Sequence, residues 1–167
     1  TSAAAKPLLD QIAIGPKTNE VARFPGFFDQ ICAAYGALFE IVTADAGITS
    51  KANAAHIHAA HKGYVLALKD NQPELLAEAT RLLLPLTSKA PAAESPWERY
   101  RGKLVQRRLF RTNDIAAYHD WRHLQQAWLV ETWERSSMKA SPSLVEQRFF
   151  LTNLGVDLRR VRAEIEK

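Results

Sequence analysis

The feature that most constrains this chain is a pair of continuous apolar runs, FEIVTAD at 39–45 and YVLALK at 64–69. Neither alternates polar with apolar residues, so neither suits a strand with one wet face. Each has to be covered on both sides. Between them lies SKANAAHIHAAHKG, a helix that Thr49 or Ser50 can cap and Gly63 can close. Two further helical stretches flank the pair. PGFFDQICAAYGALFE places Phe27, Phe28, Ile31 and Tyr35 at helical spacing with Pro25 near its start, and NQPELLAEATRLLLPL carries Pro73 near its first turn. An earlier run, LLDQIAIG, reads as a short strand ended by Gly15-Pro16. The alternating order predicts a mainly parallel α/β sheet with helices on both faces. In such sheets ligands gather beyond the carboxyl ends of the strands. Asp45 stands at one such end, and Lys69 at the end of the neighbouring strand, on the same edge of the sheet.

After residue 86 the pattern changes. TSKAPAAESP reads as a linker, and three strand-like stretches follow: KLVQRRLFR, AWLVETWER and LVEQRFFLTNL. Short helical turns are expected around IAAYHDWRHL, and DLRRVRAEIEK reads as a charged helix with Leu158, Val161 and Ile165 on one face. The expected division is an α/β portion over 1–86, an antiparallel β-rich insertion over 87–157, and the start of a helix over 158–167.

Composition narrows the function classes. A chain of 167 residues with 47% hydrophobic content suits one globular domain with a full core. The single cysteine, Cys32, excludes an internal disulfide and a cysteine-based zinc site, which points to a reducing cytoplasm. No apolar stretch reaches the roughly 18 residues of a membrane span, so no membrane partner is expected. The start, TSAAAKP, lacks a secretory pattern and an initiating Met, as expected of a trimmed or partial chain. The net charge of +4 is concentrated in RYRGKLVQRRLFR at 99–111, which has no acid.

Several residues could carry chemistry. Asp45 is either a loop residue that caps the next helix or a ligand for a hard divalent cation. Lys69 is either solvated or a phosphate contact, while Asp70 or Asn71 can cap the following helix. His56, His58 and His61 share a helix, but no acid or cysteine completes a metal set, so they read as a solvated face. Lys103, Arg107 and Arg111 fall on one face of a strand, with Arg108 beside them. They suit either a DNA backbone or a charge-guarded edge. Trp97, Trp121, Trp128 and Trp133 read as packing residues.

Taken in order, GPKTNEVARFPGFF, IVTADAGITSKANAAHI, GYVLALKDNQPELLAEA, YRGKLVQRRLF and QRFFLTNL resemble insertion-sequence transposases of the DDE type, in the branch of the H-repeat-associated proteins. The resemblance runs from Lys17 to the end, and the VTADA and YVLALKDNQP blocks are its most specific parts. It implies an RNase H-like mixed sheet interrupted by a β-rich insertion, and DNA cleavage and transfer with Mg²⁺ or Mn²⁺ held by three acids. Asp45 corresponds to the second acid. The first, in an IDGK-like context, has no counterpart, since Asp10 stands in LLDQIAIG. The third, in an HWxIEN-like helix, belongs beyond Lys167. Arg101 and Val105 replace the His and Glu of the family's HGR.E.R strand. The chain is therefore expected to be an incomplete, inactive portion of a transposase that binds DNA through Lys69, Lys103, Arg107, Arg108 and Arg111, with homodimerisation possible. The alternatives are a non-catalytic module binding DNA or protein, or an unrelated α/β enzyme using Asp45 and Lys69.

Overall fold

The structure is a computed structural model that describes residues 20–116 and 118–155. The expected strand at LLDQIAIG, Asp10 and the charged helix after residue 157 lie outside the described residues.

Helix α1 (Glu20–Tyr35) starts earlier than the Pro25 signal suggests and runs on into a 3-10 turn at Gly36–Leu38. Proline lacks the N–H that would bond the carbonyl four residues back. That carbonyl, on Val21, is instead met by the side-chain amide of Asn53 at 3.3 Å. Strand β1 (Ile41–Ala44) follows and stops one residue before Asp45. Helix α2 (Lys51–Ala59) is capped by Ser50, whose side chain accepts from the Asn53 amide. Gly63 does not close this helix. The left-handed residue is His61 (φ 57°), and Gly63 opens strand β2 (Gly63–Leu68). A Cβ on Gly63 would come 2.5 Å from the movable Cδ2 of Leu154 and 3.4 Å from Ile41, so a larger residue here requires Leu154 to shift. Helix α3 (Pro73–Leu83) has Gln72 at its N-cap in place of Asp70 or Asn71, and passes into a 3-10 turn at Leu84–Ser88.

The expected linker contains strand β3 (Ala93–Glu94), and strand β4 (Glu98–Tyr100) precedes the three long strands β5 (Lys103–Thr112), β6 (Gln126–Arg135) and β7 (Ser143–Thr152). A 3-10 turn at Tyr118–Asp120 falls within the IAAYHDWRHL stretch. All seven strands join one mixed, curled sheet in the order β1-β2-β7-β6-β5-β3, with β4 also on β5. Among the described residues only β1 and β2 are parallel, and the other pairings are antiparallel. The mainly parallel expectation fails because β2 meets β7, from the far end of the described chain, on its second side.

Alternation divides the sheet into two faces. Tyr64, Leu66 and Leu68 of β2, Phe110 of β5, Ala127 and Leu129 of β6, and Leu151 of β7 pack with Phe24 and Phe28 of α1, Ile57 of α2 and Leu75, Ala79 and Leu83 of α3. The opposite face carries a smaller cluster: Val65, Leu109 and Trp128 with Ile41, Val130 and Phe150. Helices were expected on both faces, but among the described residues all three pack on the first one. The second face is left as a groove.

Candidate functional site

The loop after β1 is fixed from below. The Thr49 hydroxyl, buried, donates to the Ala67 carbonyl of β2 at 2.6 Å, and the Asn71 side-chain amide donates to the Ala46 carbonyl at 2.8 Å. Ile48 and Thr49 close turns onto the carbonyls of Asp45 and Ala46. The Asp45 carboxylate is thereby presented at the rim of the sheet. Its Oδ1 accepts from the Ala46 amide at 2.7 Å and lies 3.5 Å from the Lys69 ammonium. Asp45 is exposed, with its side chain 71% accessible, and does not cap α2, a role taken by Ser50. The Ala46 amide, and after it the Lys69 charge, hold its pKa below the usual carboxylate value, with Arg148 adding to the effect. Parallel pairing of β1 with β2 is what brings Asp45 and Lys69 together, as their sequence positions predict.

From Asp45 the groove runs across the second face, on which none of the described helices packs. Its volume is about 620 Å³. Trp128, Val65 and Phe150 line it, and the Trp128 indole N–H is held by Gln126, also buried, at 2.9 Å. Arg107 and Arg148 line the groove together with Glu134 and Glu146, and Tyr100, 56% exposed, stands at its side. Lys103 pairs with Glu134 at 2.5 Å. Among the described residues neither Arg107 nor Arg148 has a carboxylate within ion-pair distance.

The strand β5 keeps a regular register against β6, so Lys103, Arg107 and Arg111 share the groove side, as their spacing predicts. Arg108 falls on the other side, where its guanidinium stacks 4.8 Å over the Trp133 ring and Nε lies 3.7 Å from Glu94. Val105, in place of the family's Glu, is buried in the groove lining. Three groove residues escaped the sequence reading: Arg148, Glu134 and Glu146. Only their positions on β6 and β7 relative to β1 and β5 bring them to Asp45 and Arg107, and such register is not local information.

The histidines of α2 turn apart. The His56 ring nitrogen lies 2.7 Å from Asp29, and the His58 ring stacks on His123 with centroids 3.8 Å apart. Of the tryptophans, Trp121 and Trp128 are buried, while Trp97 and Trp133 are partly exposed and carry the guanidiniums of Arg135 and Arg108. No described helix is long and apolar enough to cross a membrane.

Asp45 offers an exposed oxygen pair of the kind that hard divalent cations take. Among the described residues no group of three or more His, Cys, Asp or Glu is gathered to hold an ion. No protein-family model matches the chain, and no curated protein matches it.

Proposed function

We propose that this chain is a DNA-handling domain of the DDE transposase kind, built on an RNase H-like sheet, and that as given it binds DNA without cutting it. The observation that carries the reading is the place of Asp45. The carboxylate ends a strand of the mixed sheet, exposed, beside Lys69, and at the mouth of a groove to which Arg107 and Arg148 contribute. Two-metal phosphoryl transfer needs carboxylates close enough for two ions to flank the attacking and leaving oxygens. On this reading Asp45 is the inherited ligand for Mg²⁺ or Mn²⁺, and a single acid does not assemble the pair of ions. Contacts to DNA come from Lys69 at the rim and from Lys103, Arg107 and Arg111 along β5. Arg108 faces away and has a smaller part.

The test is a salt titration of binding to a fluorescent duplex, read by anisotropy. Each phosphate neutralised contributes about −0.9 to the slope of log affinity against log salt. Replacing Lys103, Arg107 and Arg111 by Ala should flatten that slope by up to about 2.7. With Mg²⁺ or Mn²⁺ present, no nicking above a buffer control is expected. Absence of binding at low salt, or an unchanged slope in the triple variant, overturns the reading. Nicking that disappears in Asp45→Ala overturns the non-cleaving part of it.

A further inference from the structure

Asn153, the residue after β7, ties the end of the sheet to the start of β2 and to α2. Its Oδ1 accepts from the Tyr64 amide at 2.7 Å, and its Nδ2 donates to the Lys62 carbonyl at 3.1 Å. These two bonds fix which way round the side-chain amide lies, because the reverse orientation sets N–H against N–H and oxygen against oxygen. Nδ2 also faces Nδ1 of His58, on α2, at 3.2 Å. An amide N–H needs an acceptor there, so His58 keeps Nδ1 free of a proton and carries its hydrogen on Nε2. A protonated imidazole has N–H on both nitrogens and sets donor against donor.

The same ring stacks on His123, with centroids 3.8 Å apart and planes 17° from parallel. His123 belongs to a tight segment, 121–125, in which Leu124 bonds back to Trp121 and the Gln125 amide donates to the Thr152 carbonyl, each at 2.9 Å. Trp121 and Leu124 are buried in the cluster beneath the helices. Neutral imidazoles stack without repulsion, and two imidazolium rings at this spacing repel. The charged groups around the pair do not offset that. His61, in the turn after α2, adds a like charge when protonated. The Lys62 ammonium is turned to the carbonyls of Gly36 and Phe39. Asp120, on the 3-10 turn before His123, lies 3.9 Å from Lys51 at the opposite end of α2. Among the described residues no carboxylate lies within ion-pair distance of His58, His61 or His123. We infer that His58, His123 and Asn153 form a proton-operated latch, closed while the imidazoles are neutral, that fastens α2 and the 121–125 segment to the junction of β2 with β7 and lets go in acid. Partial desolvation of the ring, then the charge of His123, then that of His61, hold the His58 pKa below 6.5. A lowered folded pKa gives stability that is present above the unfolded value and lost as pH falls through the folded one. The latch lies on the helix-covered side of the sheet and does not depend on DNA binding.

The test is an NMR titration of the ¹⁵N-labelled chain from about pH 8 to about pH 5, the range that spans an ordinary histidine. Long-range proton–nitrogen spectra should show His58 as the Nε2–H tautomer at the upper end and titrating below 6.5. Over the same range, hydrogen exchange at the amides of Tyr64 and Gln125, corrected for the intrinsic effect of pH, should quicken several-fold. His58→Phe keeps a ring against His123 but takes no proton, so it should remove the acid response at those two amides. His123→Phe removes a repelling charge and should move the His58 pKa toward 6.5 without reaching it. The inference is overturned by an Nδ1–H tautomer at His58, by a His58 pKa at or above 6.5, or by its full return to 6.5 in His123→Phe. It is also overturned if His58→Phe responds to acid as the unaltered chain does, which would place the sensitive group elsewhere. Loss of protection at all amides together overturns it as well, since that is unfolding of the whole chain and not release of a latch.

Discussion

Arg101 and Gly102 close the hairpin between β4 and β5 with both residues in the left-handed region, at φ 48° and 82°. Tyr100 pairs with Lys103 across them, so this is a two-residue turn of the type that needs positive φ at both positions. Glycine adopts it freely and arginine does not. Arg101→Asn should therefore raise stability by about 1 kcal/mol, or about 2–4 °C in a thermal melt, while Gly102→Ala should lower it by a similar amount. A fall in melting temperature for Arg101→Asn would mean that the Arg101 guanidinium, 5.2 Å over the Tyr100 ring, outweighs the turn. Asp45 provides a second residue-scale test. The largest single cause of its depressed pKa is the Ala46 amide, followed by the Lys69 charge. In an NMR pH titration it should titrate below an ordinary aspartate, and Lys69→Met should return it only part of the way. A lowered folded pKa gives stability that is present above the unfolded pKa and lost as pH falls through the folded value. Because Asp45 is exposed, the melting temperature should change little across that acid range. Full recovery of the usual pKa in Lys69→Met would show that the ion pair, and not the amide, sets the charge.

At the scale of elements, Asn53 does what α1 cannot do for itself. Its side-chain amide, 1% exposed as a residue, donates to the Val21 carbonyl left without its helical partner by Pro25 and to the Ile48 carbonyl at 2.9 Å. Asn53→Ala should cost about 1–3 kcal/mol by leaving two carbonyls short of a donor, whereas Ala52→Gly, at an exposed site on the same helix, should cost about 1 kcal/mol. An unchanged melting temperature in Asn53→Ala would show that its two hydrogen bonds do not help to hold α1. The same elements show what was legible in the sequence. The apolar runs around β1 and β2 and the three long strands of the second half are readable because burial on one or both faces writes a local pattern. The positions of Asp45 and Lys69 follow from those strand ends. By contrast, β3 and β4 are too short to leave a pattern and form only because β5 offers them an edge. Gly63 misled because a glycine after a helix usually signals its end, while here it opens the next strand beside Ile41 and Leu154. The opposition of Arg107 and Arg108 was readable from alternation, whereas the approach of Arg148 to Asp45 was not.

At the scale of the molecule, the described strands of the two halves join at one seam. Strand β2 meets β7 through four ladder pairs. Around the seam, the Thr152 hydroxyl donates to the Tyr64 carbonyl at 2.6 Å, and the Tyr64 amide donates to the Asn153 side chain at 2.7 Å. The first cluster draws on both halves of the chain, with Leu66 and Ile57 packed beside Leu129 and Leu151. A fragment of residues 20–88 should therefore lack a cooperative thermal transition, since it loses β5, β6 and β7, which cover α1–α3 together with β2. A sharp melt of that fragment would show that the α/β half is a domain in its own right. The seam also matters during synthesis. The apolar strand Gly63–Leu68 leaves the ribosome well before the segment that closes its open side, which follows more than eighty residues later. At about 5–20 residues per second, the nascent chain spends seconds with that strand unpaired, a period in which its free backbone edge is open to other chains.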